Sequence, residues 1–409
     1  MGPLVTLAYS GGLDTSVIVP WLKETRGARV LCYVADVGQG AQELRGIEEK
    51  ALQSGAVGCS VDDLRAWFIS DFVFPTLRAG AVYARTYLLG TAMARPAIAA
   101  GQVQAARAAG ASLLAHGCTG KGNDQVRFEL TFQALAPELG IVAPWREWTF
   151  RGREALLAYL RQRGIPVDAT SEKLFSRDRN LWHCSHEGGI LEDPEVAPPD
   201  DLFLRTVDPA DAPDAPADIT IGFETGTPVS LDGQDLAPVA MIEALNDLAG
   251  RHGVGRADVV EDRLVGMKSR GVYETPAGTV LRAAHRDLEQ LVLDRRTLAL
   301  KDSLAARYAD LVYEGRWWTT EREALDALVD VTQRRVTGTV RVRLFKGAAA
   351  VLSRASAHSL YSAAHATFEA DDVYRQADAS GFITLFGLPV RIDAQAAGRA
   401  KGPNLREVA

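Results

Sequence analysis

Two polar, glycine-containing segments in the first third of the chain carry residue types suited to a charged small molecule. The first is Ser10–Ser16, where Gly11 and Gly12 stand among three hydroxyl side chains and one carboxylate. It separates the apolar run Leu4–Tyr9 from a helical repeat. Unpaired N–H groups at a helix start, beside glycines, favour an anion. The segment therefore predicts a phosphate-binding turn; the alternative is an ordinary tight turn in which Asp14 caps the helix.

The second segment is His116–Glu129, which holds three glycines and eight different polar or charged residue types. Asn123 and Arg127 are four positions apart, so they share one helix face. The segment follows a predicted strand, Ser112–His116, and therefore begins at the same sheet edge as the first segment. Ligands of open α/β sheets bind at that edge. The alternative is a solvated loop that leads into a helix cap.

Two familiar nucleotide-binding patterns are absent from the sequence. The Walker pattern requires Ser or Thr after Gly-Lys, but Gly120-Lys121 is followed by Gly122. The dinucleotide fingerprint fails because Glu43 stands where a third glycine should follow Gly38 and Gly40. Kinase-like and dehydrogenase functions are therefore disfavoured.

The elements that must position these segments alternate between strand and helix over the first 165 residues. Such alternation predicts a parallel sheet with helices on both faces. The predicted strands are Leu4–Tyr9, Val30–Ala35, Ala56–Val61, Ser112–His116 and Ile141–Ala143, and the predicted helices include Ala41–Ser54, Leu88–Ala109 and Glu154–Arg163.

The second half of the chain has a mixed pattern. Residues 187–218 hold ten acidic residues and six prolines, which predicts a surface excursion or an interdomain connection. Hairpins are predicted at Asp232-Gly233 and Lys346-Gly347, and residues 279–335 read as largely helical. This order predicts an α+β domain. An apolar stretch from Gly381 onward indicates a tail that docks on another subunit or on its own chain.

Composition excludes several classes of protein. The 409 residues have a formal net charge of −7, which argues against broad nucleic-acid binding. No apolar run is long enough for a membrane helix, and the first residues lack the positive charge of a secretory signal. The four cysteines lie far apart, which argues against a disulfide scaffold. We therefore expect a cytoplasmic protein whose partners are small molecules, not nucleic acid or membrane.

Ser10–Ser16 resembles the pyrophosphate loop of the ATP pyrophosphatase superfamily, whose members cleave ATP between the α- and β-phosphates. Together with His116–Glu129 it closely resembles the two signatures of the argininosuccinate synthase family. The resemblance spans nearly the whole chain. It continues through Val34–Gly40, Tyr87–Thr91, Ala143–Trp148 and Gly266–Pro276.

The resemblance implies a fold, a reaction and an assembly. It implies a nucleotide-binding domain at 1–168, a synthetase domain at 169–380 and an oligomerisation tail at 381–409 of a homotetramer. The family joins citrulline to aspartate with ATP, through citrullyl-AMP, and releases AMP and pyrophosphate. Mg²⁺ on the phosphates is expected, and catalysis should consist mainly of positioning and charge stabilisation.

The resemblance also implies roles for individual residues. Asp14 and Asp124 are the expected catalytic residues. ATP is expected at Ala8, Tyr9, Ser10, Gly11, Gly12, Leu13, Asp14, Thr15, Ser16, Ala35 and Gly117. Citrulline is expected at Tyr87, Asn123, Arg127, Ser176, Ser185, Glu261 and Tyr273, and aspartate at Thr119, Asn123 and Asp124. No residue is expected to bind a metal.

Two features depart from or compete with this pattern. Ala92 stands where the family usually has Ser, so one hydroxyl that contacts citrulline is missing. The loss of one neutral hydrogen bond costs about 0.5–1.5 kcal/mol, hence at most about a tenfold loss of affinity, which Thr91 or water could offset. The sequence His183-Cys184-Ser185-His186, followed by Glu187, contains residue types that zinc uses, but the resemblance assigns no metal there.

Two alternative functions remain open at this point. One is an enzyme of tRNA thiolation or lysidine synthesis that uses the same loop, which the acidic composition disfavours. The other is a nucleotide sensor without turnover. The dense polar set in residues 117–127 counts against a sensor.

Overall fold

The computed structural model describes residues 2–166, 175–367 and 373–398, which belong to two compact units divided between His358 and Ser359. The first part of the larger unit alternates strands and helices. Its elements are β1 (Leu4–Ala8), α1 (Leu13–Arg26), β2 (Arg29–Asp36), α2 (Ala41–Leu44), α3 (Ile47–Gln53), β3 (Gly58–Asp63), α4 (Arg65–Phe68), α5 (Phe74–Arg78), α6 (Gly90–Ala109), β4 (Leu113–Ala115), α7 (Asp124–Leu135), β5 (Gly140–Val142) and α8 (Gly152–Arg161).

The five strands of this part form one parallel sheet in the order β3-β2-β1-β4-β5. Alternate residues of β1 pack on opposite sides of it. Val5 and Leu7 join a core with residues of α1 and α3, whereas Leu4 and Ala8 pack with residues of α6 and α7. The predicted α/β class, with helices on both faces, is confirmed.

The strand order reverses at β1, which lies between β2 and β4. The chain therefore leaves the carboxyl ends of β1 and β4 toward opposite sides, and a crevice opens there. Both polar segments begin at this crevice, one after Ala8 and the other after Ala115.

The rest of the larger unit contains two antiparallel sheets and four helices. Its elements are β6 (Ser176–Arg179), β7 (Cys184–Glu187), β8 (Ala217–Glu224), β9 (Thr227–Leu231), β10 (Gln234–Asp235), α9 (Pro238–Arg251), β11 (Arg256–Asp262), β12 (Lys268–Glu274), α10 (Pro276–Val292), α11 (Arg295–Tyr313), α12 (Thr320–Gln333), β13 (Gly338–Phe345) and β14 (Ala348–Ala355). One sheet has the order β10-β9-β8-β13-β14 and packs against α9 and α10. The other has the order β11-β12-β7-β6.

The register of the four-stranded sheet places six polar residues together on one of its faces. Ser185 is paired with Tyr273 on one side and with Asp178 on the other, and Glu187 is paired with Ser176. Side chains alternate between faces along each strand, so residues two apart share a face. We call this the polar sheet face; it carries Ser176, Asp178, Ser185, Glu187, Glu261 and Tyr273.

Both predicted hairpins are present. Asp232 and Gly233 have φ of 50° and 79° between β9 and β10, and Lys346 and Gly347 have φ of 40° and 85° between β13 and β14. Two successive positive φ angles are typical of the tight turn whose twist matches that of paired strands.

The prediction of one helix over Ala41–Ser54 is wrong. Two helices, α2 and α3, are separated at Gly46, which has a φ of +70°. A left-handed residue cannot continue a right-handed helix, and glycine adopts this conformation without steric cost.

The described residues of the second unit form three helices, α13 (Ala363–Ala366), α14 (Asp378–Phe386) and α15 (Leu388–Ala396), with exposed apolar side chains on the last two. The predicted domain boundary at 168–169 lies outside the described residues, and the predicted start of the tail at Gly381 falls inside α14. The division into three domains stays a prediction. Within the described residues, no helix is both long and apolar enough to cross a membrane.

Candidate active site

The turn between β1 and α1 leaves backbone donors open. Gly11 has a φ of +68°, and Gly12 precedes α1 without any side-chain cap. Within the described part of the chain, the N–H groups of Leu13 and Asp14 have no hydrogen-bond acceptor. The hydroxyl oxygens of Ser10 and Thr15 lie 3.3 Å apart beside them. Open N–H groups and hydroxyls at the positive end of a 14-residue helix form a site for an anion.

The neighbouring predicted nucleotide residues are held by the sheet. Tyr9 donates its N–H to the carbonyl of Tyr33 at 2.8 Å, and its hydroxyl lies 3.3 Å from Oγ of Ser16. Burial raises the pKa of the Tyr9 hydroxyl. Burial also raises the pKa of the Asp14 carboxyl, and the positive charge of Arg153 opposes this increase. Ala35, the residue before the end of β2, lies on the same sheet edge and is buried.

The two polar segments touch each other at Gly117. A Cβ at this position would lie 2.8 Å from Cγ2 of Thr15, closer than real Cβ contacts allow. Glycine therefore lets the second segment pass directly over the first turn of α1. Thr119, two residues further on, is exposed at the rim.

Asn123 is anchored from two sides where α7 begins. Its Nδ2 donates to the hydroxyl oxygen of Tyr313 at 2.9 Å, and its Oδ1 accepts from the N–H of Leu264 at 2.8 Å. The Tyr313 hydroxyl in turn donates to the carbonyl of Asp262 at 2.9 Å. The amide is thus oriented by two segments that are distant in sequence, and one N–H stays open to a ligand.

Asp124 lies between two arginines. Its Oδ2 accepts from Nε of Arg95 at 2.9 Å, and its Oδ1 accepts from Nη1 of Arg127 at 3.0 Å. Arg95 also donates to Oδ2 of Asp178 at 2.8 Å. Burial would raise the pKa of Asp124, but the two guanidinium groups outweigh burial and hold this pKa below its usual value. Asp124 is therefore a stable carboxylate that can attract a cationic ligand group.

Aromatic rings pack beside this ion network. Tyr87 stacks on Tyr273 with ring centroids 4.4 Å apart, and Tyr83 stacks on Tyr313 at 3.6 Å. The guanidinium of Arg127 lies 5.0 Å from the Tyr313 ring centroid, within cation–π range. The rings join α7 and the polar sheet face into one wall.

Glu261 offers a carboxylate oxygen to this wall. Its Oε1 accepts from the Tyr273 hydroxyl at 2.5 Å. Its Oε2 is buried and has no hydrogen-bond partner in the described chain. A buried oxygen of this kind carries a desolvation cost that a ligand donor would remove.

Thr91 links α6 to the polar sheet face. Its hydroxyl donates to Oδ2 of Asp178 at 2.7 Å and lies 3.0 Å from Nε2 of His183. Burial lowers the pKa of His183 to about 3, so the ring is neutral, and Nε2–H donates to Thr91. The Thr91 hydroxyl is therefore already engaged. Ala92, which follows it, is fully buried.

Glu187 closes the polar sheet face at the end of β7. Its nearest ion-pair partner is Arg263, with Nη2 at 3.6 Å from Oε2, which is long for a strong pair. Burial, followed by the negative charges of Glu261 and Asp124, raises the pKa of Glu187 to about 7, although Arg263 opposes this shift. Glu187 thus differs from Asp124 in its proton affinity.

The opposite face of the same sheet carries a buried polar cluster. Potential ligand atoms of Cys184, His186 and Glu274 lie within 4.8 Å of one another. The Glu274 carboxylate accepts from His186 Nε2 at 2.9 Å, from three consecutive N–H groups in residues 204–206, and from the Thr206 hydroxyl. These bonds lower the pKa of Glu274 to about 2 against the effect of burial. The cluster fastens the 204–206 segment to the sheet.

The structure brings six of the predicted amino-acid-binding residues into one connected network: Tyr87, Asn123, Asp124, Arg127, Glu261 and Tyr273. The Ser185 hydroxyl is less directly involved and donates to the carbonyl of Asp178 at 3.5 Å. Ser176 and Thr119 are exposed, and their hydroxyls make no hydrogen bond within the described chain. Their assignment to substrates stays a prediction.

Sequence reasoning missed four residues of this network: Arg95, Asp178, Glu187 and Tyr313. Two of them carried a usable signal, because Asp178 follows Ser176 by two positions and Glu187 follows Ser185 by two. On a strand, such spacing places both residues on one face. Arg95 and Tyr313 lie on long helices, and nothing in the local pattern distinguishes them.

Comparison with known proteins gives matches over both halves of the chain. Residues 4–166 match the model described as Arginosuccinate synthase N-terminal HUP domain, and residues 175–393 match the Arginosuccinate synthase C-terminal domain. Argininosuccinate synthase of Roseiflexus sp. strain RS-1 is 58% identical, covering 97% of this chain and 98% of that relative. The chloroplastic enzyme of Arabidopsis thaliana is 56% identical, covering 95% and 79%. Argininosuccinate synthase of Pelotomaculum thermopropionicum is 58% identical, covering 95% and 97%.

A solved structure, the tRNA thiolase NcsA of Methanococcus maripaludis, is similar at a TM-score of 0.27 and 11% identity, over 42% of this chain and 61% of that one. A likeness this slight supports no inference. The two family models and the near full-length relatives do: the chain belongs to the argininosuccinate synthase family of ATP-using enzymes.

Proposed function

We propose that the protein joins citrulline and aspartate into argininosuccinate with ATP, through citrullyl-AMP, and releases AMP and pyrophosphate. In the first step, the ureido oxygen of citrulline attacks the α-phosphorus of ATP, and the bond to the β-phosphate breaks. In the second step, the amine of aspartate attacks the ureido carbon and displaces AMP. Adenylation is needed because the ureido oxygen is otherwise a poor leaving group.

The observation that carries this proposal is the junction of three features at one crevice. The β1–α1 turn, which has open N–H groups, lies against the second segment where Gly117 faces the methyl group of Thr15. The second segment joins the polar sheet face through Asp124, Arg95 and Asp178. The proposed nucleotide site would thus be continuous with the proposed amino-acid site, as transfer of an adenylyl group requires.

Each charged group of the substrates has a suitable partner in the proposal. The open Oε2 of Glu261 would accept from the ammonium of citrulline, and Arg127 would face its carboxylate. Thr119, Asn123 and Asp124 would bind aspartate. The donors of Leu13 and Asp14 would hold the leaving pyrophosphate.

Mg²⁺ fits this donor set as a companion of the nucleotide. The β1–α1 turn offers N–H and hydroxyl donors and only one carboxylate, Asp14. The phosphates would therefore supply most oxygen ligands of the ion, with Asp14 as the protein group available to it. When bound, Mg²⁺ neutralises charge on the phosphates. Asp14 and Asp124 are the proposed catalytic residues.

We also propose a homotetramer that works in the cytoplasm. The exposed apolar side chains of α14 and α15 support assembly, because monomers rarely expose contiguous apolar surface of this kind. The acidic composition supports small-molecule substrates over RNA.

The test is ATP–pyrophosphate exchange with the purified protein. We expect exchange that depends on citrulline and proceeds without aspartate, because adenylation is reversible and precedes the second step. Addition of aspartate should then yield AMP and argininosuccinate. Exchange that ignores citrulline, or that appears only with tRNA, would contradict the proposal, and ATP binding without exchange would indicate a sensor.

A further inference from the structure

The second step of the proposed reaction requires a base. Aspartate arrives as an ammonium ion, and its nitrogen has no lone pair until a proton leaves. The carboxylate assigned to bind this ammonium, Asp124, is a weak base because Arg95 and Arg127 each donate to one of its oxygens. A different acceptor is therefore needed near Asp124.

We propose that Glu187 is this general base and takes a proton from the aspartate ammonium before the nitrogen attacks citrullyl-AMP. The inference rests on the proposed function and extends it to a residue that the sequence comparison did not assign. Its basis is the position of Glu187 on the polar sheet face and the long contact with its nearest cationic partner, Arg263, whose Nη2 lies 3.6 Å from Oε2 of Glu187.

The register of the sheet aims Glu187 into the site. Glu187 is paired with Ser176, and along β7 it shares a face with Ser185. On the other side of β7 lies β12, where Val272 is paired with His186 in an antiparallel register. The neighbour of Glu187 in β12 is therefore Gly271. Glycine at 271 leaves room for the Tyr273 hydroxyl on this face, since a Cβ at 271 would lie 2.4 Å from that hydroxyl.

Charged groups from each adjoining element act on Glu187. The carboxylates are Glu261 of β11, Asp124 of α7 and Asp178 of β6, and the guanidinium is that of Arg263, which follows β11. The Tyr273 hydroxyl of β12 also interacts with Glu187. Desolvation of the carboxyl group and the three negative charges together outweigh the positive charge of Arg263 and raise the pKa of Glu187 to about 7.

Two carboxylates of one site therefore have opposite tendencies. The arginines keep Asp124 ionised, so it binds a cation, whereas Glu187 releases and accepts protons near neutral pH. Acid–base catalysis is most effective when the pKa of the group lies near the working pH. Separation of two pKa values by environment is a common way to divide such roles.

One proton passes from the aspartate ammonium to Oε of Glu187, and the freed lone pair forms a C–N bond to the ureido carbon. The C–O bond to AMP breaks, and AMP leaves with the electron pair. The nitrogen loses a second proton to water, which gives the guanidinium of argininosuccinate, and Glu187 returns its proton to solvent.

The test separates the two steps in the full-length protein. Enzyme equilibrated with ATP, Mg²⁺ and citrulline is mixed with saturating aspartate, and the single-turnover rate of argininosuccinate formation is measured from pH 5.5 to 9, values chosen to bracket the pKa. Glu187→Gln is compared with Glu192→Gln, which removes an exposed carboxylate five residues away. Citrulline-dependent ATP–pyrophosphate exchange reports the first step separately.

We expect Glu187→Gln to keep citrulline-dependent exchange and to lower the single-turnover rate by about 100-fold or more. The wild-type rate should fall as the pH drops through about 7, because protonation removes the base, and the variant should lack this dependence. Glu187→Asp should restore part of the rate, and Glu192→Gln should behave as wild type.

Three results would overturn the role of Glu187. One is a Glu187→Gln rate and pH profile like those of the wild type. Another is equal loss of exchange and ligation in a variant that still unfolds cooperatively, which would assign Glu187 to the first step. The third is a Glu187→Gln variant whose pH dependence persists. Absence of citrulline-dependent exchange in the wild type would instead refute the proposed function, and the base with it.

Discussion

The first turn of α6 places Thr91 and Ala92 beside the residues that we propose bind citrulline. Thr91 is committed to Asp178 and His183, so its hydroxyl is not a spare substitute for the one that Ala92 lacks. The offset by Thr91 that the sequence allowed for is therefore unsupported by the geometry. Water remains as the other means of filling the missing contact.

Restoring the hydroxyl with Ala92→Ser should tighten citrulline binding. One added hydrogen bond contributes about 0.5–1.5 kcal/mol, so the KM for citrulline should fall by up to about tenfold with kcat little changed. Steady-state kinetics with varied citrulline measure this. Ala94→Ser, at another fully buried position of α6, controls for a hydroxyl placed in the core. An unchanged or higher KM in Ala92→Ser alone would contradict the expectation.

Single residues were predictable when they belonged to a dense local motif. Asn123, Asp124 and Arg127 stand in one such segment, and the structure joins them in one network. Arg95 was not predictable, because its importance comes from two carboxylates that are 29 and 83 residues away along the chain. Contacts of this kind depend on the tertiary fold.

At the level of elements, the turn after α11 shows how a helix end positions a side chain. Gly315 has a φ of +77°, and a Cβ there would lie 2.6 Å from Cα of Arg127. The same turn brings the Tyr313 carbonyl to Nε of Arg127 at 3.0 Å. The absence of a side chain at 315 therefore holds α11 against α7.

Gly315→Ala should destabilise the protein and disturb Arg127. The left-handed φ and the overlap together should lower the free energy of unfolding by about 1–3 kcal/mol and raise the KM for citrulline. Gly110→Ala is the matched control, because Gly110 also ends a helix with a φ of +66° but has open space around it. Chemical denaturation and citrulline kinetics measure both effects. Equal effects in both variants would show that only backbone strain matters.

Five strands escaped prediction, β6, β7, β8, β11 and β12, and four of them share a physical reason. β6, β7, β11 and β12 read SRDR, CSHE, RADVVED and KSRGVYE, with few apolar residues in alternation. One face of their sheet forms the candidate site, and the other carries the Glu274 cluster, so polar residues occupy both faces. The strands of the parallel sheet were recognisable because their buried faces are apolar.

At the scale of the whole molecule, the two compact units differ in how far their apolar side chains are buried. The larger unit buries its apolar side chains in several cores, whereas α14 and α15 expose theirs. The order of strands and helices was enough to predict the α/β class. The division between the two units at His358 and Ser359 has no comparable signal in the sequence, because no local pattern marks it.

Charge on the exposed tail should dissociate the assembly. Leu385 and Phe386 are each 73% exposed, so replacement of both by Asp should leave the larger unit folded while it weakens apolar association. Sedimentation equilibrium should then show a smaller species than the wild type, with an unchanged thermal transition of the larger unit. Gln395→Asp on α15 is the control for added charge. A double variant that assembles like the wild type would exclude this surface from the interface.

The contact between Gly117 and the methyl group of Thr15 has a consequence for evolution. The two most distinctive motifs of the chain share a wall with no spare volume, so neither can enlarge without the other shrinking. Positions 15 and 117 should therefore covary among homologues: a side chain at 117 is tolerated only where the residue at 15 is smaller, and lineages that keep threonine keep glycine.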